Sequence, residues 1–102
     1  MNNTEPEVVQ NEAQLFALGQ TIATPGALEA LEASHQSPGE FLARHARGDW
    51  GELSDDDIAE NEFSLKNGFR LLSSYATATG QTLWVITEAG RDLTTLLLPN
   101  EY

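Results

Sequence analysis

From Phe69 to Leu98 the chain repeats one pattern three times, and that pattern limits the fold more than any other feature. Phe69–Thr77, Thr82–Glu88 and Leu93–Leu98 are rich in β-branched, aromatic and leucine residues, with breaks near Thr79-Gly80 and Ala89-Gly90. Side chains alternate between the two faces of a strand, and short glycine-containing breaks turn a strand back on itself. The segment therefore reads as an antiparallel meander. Leu83 and Val85 fall on one face and Trp84 and Ile86 on the other, so both faces are partly apolar. One face must hold helices. The other is left for an N-terminal strand near Leu18–Ala23 or for a second subunit.

Helix signals precede the meander. Thr24-Pro25 reads as an N-cap followed by proline at the first helical position, with Ala27, Leu28, Ala30 and Leu31 as the apolar face. Ser37-Pro38-Gly39-Glu40 has the spacing of a capping box, and Gly48 stands where a helix C-terminus ends. Phe41 and Leu42 give this second helix its core contacts, while Arg44, His45 and Arg47 suit the negative end of its dipole. A third helix starts at Ser54, with Asp57 at the capping-box position and Ile58, Phe63 and Leu65 as its expected core residues, and stops at Asn67-Gly68. The fold class is α+β, about three short helices packed on a three- to four-stranded antiparallel sheet. At 102 residues the chain has material for one core. The expected organisation is a flexible acidic tail over residues 1–14 and a single domain over residues 15–102.

Charge narrows the functional classes. Sixteen acidic side chains stand against five basic ones, a net of −11, and residues 49–62 hold seven acids with no base. A basic nucleic-acid-binding surface needs clustered Lys and Arg and is excluded. The absence of cysteine removes disulfides, thiolate metal sites and a cysteine nucleophile. The first fourteen residues lack the basic start and apolar stretch of a signal peptide, and no apolar run approaches the roughly 20 residues a membrane helix needs. A soluble, cytoplasmic protein is expected.

Few residues offer chemistry. Asp55-Asp56-Asp57 is contiguous, without the alternation and central glycine of a calcium loop, so no metal is assigned. His35 adjoins a helix end and reads as a polar cap; the spacing from His35 to His45 fits no zinc pattern. Ser73 and Ser74 lack the glycines of a nucleophile elbow, and Gly48-x-x-Gly51 lacks the lysine of a phosphate loop. No cofactor is called for. The Gly48-Asp49-Trp50-Gly51 turn aims its indole either inward, as a core plug with its N–H satisfied, or outward, as an aromatic anchor beside the acidic helix. Glu88 with Arg91 reads as a turn salt bridge, and Arg44, Asp49, Glu88 and Arg91 as a possible shared polar network.

Three stretches, Arg44–Gly51, Leu83–Ala89 and Thr94–Tyr102, together with Leu18-Gly19-Gln20 and Thr24–Ala27 ahead of them, give the chain a family likeness over residues 15–102. It resembles a family of small bacterial proteins labelled plasmid-related or hypothetical, carried on plasmids, integrative elements and prophages. The resemblance implies a mobile-element origin and brings no activity with it. The family pattern places Asp before Arg after Thr87-Glu88-Ala89; Gly90 stands there in this chain, which removes any role for a carboxylate at that position.

The leading reading is a non-enzymatic acidic interaction protein that binds and inhibits or neutralises a basic nucleic-acid-acting host protein, in an anti-CRISPR, anti-restriction or antitoxin-like manner. Duplex DNA carries one charge per about 1.7 Å of axis. A helix rising about 1.5 Å per residue with carboxylates at 55, 56, 57, 60 and 62 approaches that density over a short length. The partner-binding residues expected are Asp49, Trp50, Glu52, Asp55, Asp56, Asp57, Glu60 and Glu62, with no direct nucleic-acid or membrane contact. Two alternatives stand beside it: a small hydrolase or nuclease using Arg44, His45, Asp49 and Glu88, and a dimeric accessory protein that self-associates through the second sheet face.

Overall fold

The computed structural model describes residues 14–102. The tail expected over residues 1–14 therefore lies, apart from Gln14, outside the described residues. In chain order the elements are β1 (Gln20–Ala23), α1 (Pro25–Ser34), α2 (Pro38–Ala46), α3 (Asp55–Asn67), β2 (Leu71–Ala76), β3 (Thr82–Thr87) and β4 (Leu93–Leu97), followed by a 3-10 turn at Pro99–Glu101. The α+β class holds. One expectation needs correction: the sheet is mixed, in the order β1-β4-β3-β2, with β1 parallel to β4. A parallel neighbour needs a long crossover, and the three helices between β1 and the meander supply it.

Local signals set most of the boundaries. The Thr24 hydroxyl accepts from the Ala27 N–H at 3.1 Å and the Ser54 hydroxyl from the Asp57 N–H at 3.1 Å, satisfying first-turn donors of α1 and α3. His35 ends α1 in the left-handed region at φ 58°, as its place after the helix suggested. The capping box expected at Ser37 does not form: its side chain makes no capping bond, and Glu40 instead accepts from Gln36 Nε2 at 2.9 Å. Gly68, at φ 75°, closes α3. Phe69 and Arg70 then remain outside β2.

The helices cover one sheet face. Ala27 and Leu31 of α1 and Phe41 of α2 pack on Tyr75, Leu83, Val85 and Leu96, all essentially buried. Burying side chains of this size is worth about 1.5–3 kcal/mol each. A second cluster joins Phe16, Trp50 and Leu71, with Ile58 and Leu65 packed against it. The third expected core residue of α3 is not in it: Phe63 is 59% exposed. The buried positions of α3 are Asn61 and Ser64, and they dock through polar bonds. Asn61 donates Nδ2–H to the Leu72 carbonyl at 2.5 Å and accepts the Leu72 N–H at 3.2 Å, taking the place of a neighbouring strand. Farther along the same edge, the Ser74 N–H donates to the Trp50 carbonyl at 3.1 Å and the Glu52 N–H donates to the Ser74 carbonyl at 2.6 Å. An edge strand that would invite foreign pairing is thus closed by its own chain.

Gly51 makes this closure possible. Its φ of +79° is left-handed, and a Cβ there would overlap the Ser74 carbonyl oxygen and the Tyr75 ring. Gly80 has a similar φ of +88° with open space around it. Gly80→Ala should cost about 1–2 kcal/mol of unfolding free energy from backbone strain alone. Gly51→Ala adds a backbone clash and should cost at least about 3 kcal/mol. Urea titration of the two variants compares them directly, and equal losses would show that the edge closure tolerates displacement.

Candidate functional site

The acidic segment divides into a structural part and an exposed part. Asp49 belongs to the first. Its Oδ2 pairs with Arg44 Nε at 2.7 Å, its Oδ1 accepts the Gly51 N–H at 3.2 Å, and its carbonyl accepts the Tyr75 hydroxyl at 2.6 Å. The Arg44 hydrogen bond holds the Asp49 carboxyl below its usual range, and the guanidinium lies 4.4 Å from the Tyr75 ring centroid. Asp49 is therefore the bracket of the Gly48–Gly51 turn.

Trp50 corrects the expected partner-binding set. Its indole points inward, 4% exposed, stacked on Phe16 with centroids 6.2 Å apart and edge-on to His45 at 5.7 Å. A buried indole must place its N–H on an acceptor, and Nε1 donates to Glu62 Oε2 at 2.9 Å. Glu62 is thus exposed yet tied to the core. The aromatic surface beside the acids comes from elsewhere. Phe63 and Phe69, 59% and 52% exposed, stack with centroids 5.9 Å apart at 20°. The signal for this lay in the helical wheel, since Phe63 shares a face with Asp56, Ala59, Glu60 and Asn67.

Glu52, Asp55, Asp56, Asp57 and Glu60 are all exposed, and among the described residues none forms an ion pair. Asp55, Asp56 and Asp57 occupy the first turn of α3, where anions favour the helix dipole. This stabilisation lets three adjacent carboxylates coexist without a neutralising cation. Among the described residues no group of three or more His, Asp or Glu side chains is placed to share a metal ion.

The residues of the enzymatic alternative are not assembled. His45 is fully buried, out of reach of any substrate. Glu88 turns to Arg70 at 3.7 Å, away from the Arg44–Asp49 pair. The expected Glu88–Arg91 salt bridge is absent: Arg91 donates to the carbonyls of Phe69 at 2.7 Å, Glu88 at 3.1 Å and Ser64 at 3.2 Å, capping the end of α3. The shared network of Arg44, Asp49, Glu88 and Arg91 is accordingly two separate arrangements.

His45 has a structural role whose proton positions follow from its neighbours. The Thr94 hydroxyl donates to the Leu18 carbonyl at 2.7 Å. A hydroxyl has one proton, so Thr94 accepts from Thr87, 2.7 Å away. Thr87 then accepts from His45 Nε2–H at 2.9 Å, and the bare Nδ1 accepts from Ser73 at 2.6 Å. The imidazole is neutral and protonated on Nε2. Burial, reinforced by the Arg91 charge, pushes its pKa from 6.5 down to about 4.

Comparison with known proteins finds no matching family model, no matching curated protein and no matching solved structure. Among the described residues no helix is long and apolar enough to cross a membrane.

The buried histidine gives a pH test. The unfolded chain takes up the His45 proton near pH 6.5 and the folded chain only near 4, so its contribution is complete above 6.5 and is lost as pH falls toward 4. The stability advantage of the protein over His45→Gln should shrink by about 2 kcal/mol between about pH 7 and about pH 4.5 in urea titrations. An advantage constant across that range would contradict a buried neutral imidazole.

Proposed function

We propose that the protein is an acidic, non-enzymatic binding protein that occupies a basic groove of a nucleic-acid-acting protein and blocks it, acting in the cytoplasm. The observation that carries this reading is the exposed surface of α3: uncompensated carboxylates at 55, 56, 57 and 60, with Asp56 and Glu60 on the same face as an exposed, stacked Phe63–Phe69 pair. Dense negative charge speeds encounter with a basic surface and sets its salt dependence. Charge alone binds loosely and without preference. An exposed aromatic pair next to the charge supplies the desolvated anchor that specific interfaces use. Asp49 and Glu62 contribute through the turn and the Trp50 clamp that hold α3 in place.

The mobile-element setting implied by the family resemblance agrees with this reading. An element entering a cell meets restriction complexes, CRISPR effectors and toxins, all of which carry basic nucleic-acid-binding surfaces. Imitation of the nucleic acid's charge is a direct way to compete for such a surface.

The test is displacement. Host proteins bound to immobilised duplex DNA are challenged with the purified chain at low and at high salt. The chain should release a basic nucleic-acid-handling protein at low salt, and the combined Asp55→Lys, Asp56→Lys, Asp57→Lys and Glu60→Lys variant should need at least about tenfold more protein for the same release. Phe63→Ala should weaken release by a smaller factor without altering its salt dependence. Release by the charge-reversed variant at the same concentration would remove electrostatic mimicry.

A further inference from the structure

On the sheet face opposite the helices Leu72 and Trp84 are half-buried and Ile86 is buried, and a hollow beside α3 adjoins this face. One hollow of about 300 Å³ is lined by Asp57, Glu60 and Asn61 of α3 together with Arg70 and Leu72. A second of about 270 Å³ lies on Leu72, Trp84 and Ile86, with Arg70 and Tyr102 at its sides. Arg70 and Leu72 line both, so the hollows adjoin across these two side chains, and together they are called the trough. Each lies at or below the lower end of the roughly 300–1,000 Å³ of small-molecule pockets. Such hollows suit one large side chain each better than a complete small ligand.

Chemistry differs between the halves. The sheet half has an apolar floor and an aromatic wall, with Tyr102 edge-on to Trp84 at a centroid distance of 5.8 Å. Tyr102 is 68% exposed, yet its hydroxyl accepts from Arg70 Nη1 at 2.6 Å. The Arg70 charge is balanced by Glu88 at 3.7 Å. In the helix half, Asp57 and Glu60 face the trough, and neither is in an ion pair among the described residues. An apolar seat thus adjoins a pair of uncompensated carboxylates.

We propose that this trough receives an extended segment of the basic partner protein, with an aliphatic or aromatic side chain seated on Leu72, Trp84 and Ile86 and neighbouring Lys or Arg side chains meeting Asp57 and Glu60. The inference rests on the acidic-surface reading above and adds to it a defined anchor site. Charge complementarity selects this occupant over a second copy of the chain. Two copies packed through this face would bring together acidic flanks of molecules that each carry a net charge of −11. A cationic segment relieves that repulsion, and its apolar side chain covers the half-buried Leu72 and Trp84.

The test uses the full isotope-labelled chain at low salt with two capped peptide probes: a short peptide with one Leu between pairs of Lys, and the same peptide with Gly in place of Leu. The Leu probe should shift the backbone amide signals of Leu72 and Ile86 and the Trp84 indole signal together with those of Asp57 and Glu60. The Gly probe should bind about tenfold more weakly. Glu60→Lys should weaken the Leu probe at least about fivefold, and Asp56→Lys, which does not line the trough, by less than about twofold. Equal binding of the two probes with shifts confined to α3, or equal losses in the two variants, overturns the trough and leaves the acidic surface standing. No binding of either probe removes the acidic surface as well. Concentration-dependent shifts at Trp84 and Ile86 in the chain alone would assign the face to a second copy and also overturn the proposal.

Discussion

His45 ties together parts of the chain that have no other reason to meet. It leaves α2, crosses the helix-covered face of the sheet, and enters a row of hydroxyls from β2, β3 and β4 that ends on the carbonyl of Leu18. An interior polar group without a partner costs about 1–3 kcal/mol, so the row is stabilising only when every member is satisfied. Here each donor has one acceptor and the direction of every bond is fixed. This matters for the register of the sheet. Shifting β3 by one residue would carry Thr87 to the opposite face and leave the imidazole, Ser73 and Thr94 unmatched together. The polar row penalises that error more heavily than an aliphatic core could.

Polar groups also place α3. A helix docked by a broad apolar stripe would turn its aromatic residues inward. This helix is positioned by Asn61 on the edge of β2, by Arg91 on the Ser64 carbonyl of its last turn and by Glu62 on the Trp50 indole, with Ile58 and Leu65 only partly buried. Each attachment uses a group on the inner side of the helix or at its end. The outer side makes none of these attachments, and there Asp56, Glu60 and Phe63 are found together, with Asp55 and Asp57 exposed beside them in the first turn.

Features set by neighbouring residues were legible in the sequence. Thr24 and Ser54 cap the helices they precede, glycines mark the end of α3 and the turns of the meander, and the alternation of Leu83, Trp84, Val85 and Ile86 anticipated a sheet apolar on both faces. Features set by distant partners were not. The parallel pairing of β1 with β4 joins residues some seventy positions apart, and nothing near Gln20 specifies its neighbour. The inward-turned Trp50 indole is satisfied by Glu62, twelve residues on, and the position of Phe63 among polar neighbours on the wheel outweighs its apolar character. Glu88 and Arg91 are near in sequence, yet the guanidinium goes to three carbonyls, of Ser64 in α3, of Phe69 just after it and of Glu88 in its own turn. At Ser37 a local signal is not realised: Glu40 accepts from Gln36 and no capping box forms.

The distribution of the cations bears on why the acidic face is bare. Arg44 is held by Asp49, Arg70 lies between Glu88 and Tyr102, and Arg91 is spent on backbone carbonyls. Only Arg47 and Lys66 remain outside these arrangements, and neither forms an ion pair with the acids at 52, 55, 56, 57 or 60. A fold that needed only solubility would intersperse charges of both signs, which costs nothing and reduces self-repulsion. This chain places its cations where they brace the turn, the β2 edge and the end of α3, and leaves concentrated repulsion on one short helix. Helix capping and the dipole reduce that repulsion at the first turn but do not extend to Glu60. The uncompensated charge is therefore a standing free-energy cost within the isolated molecule, and a cationic surface brought against it removes that cost.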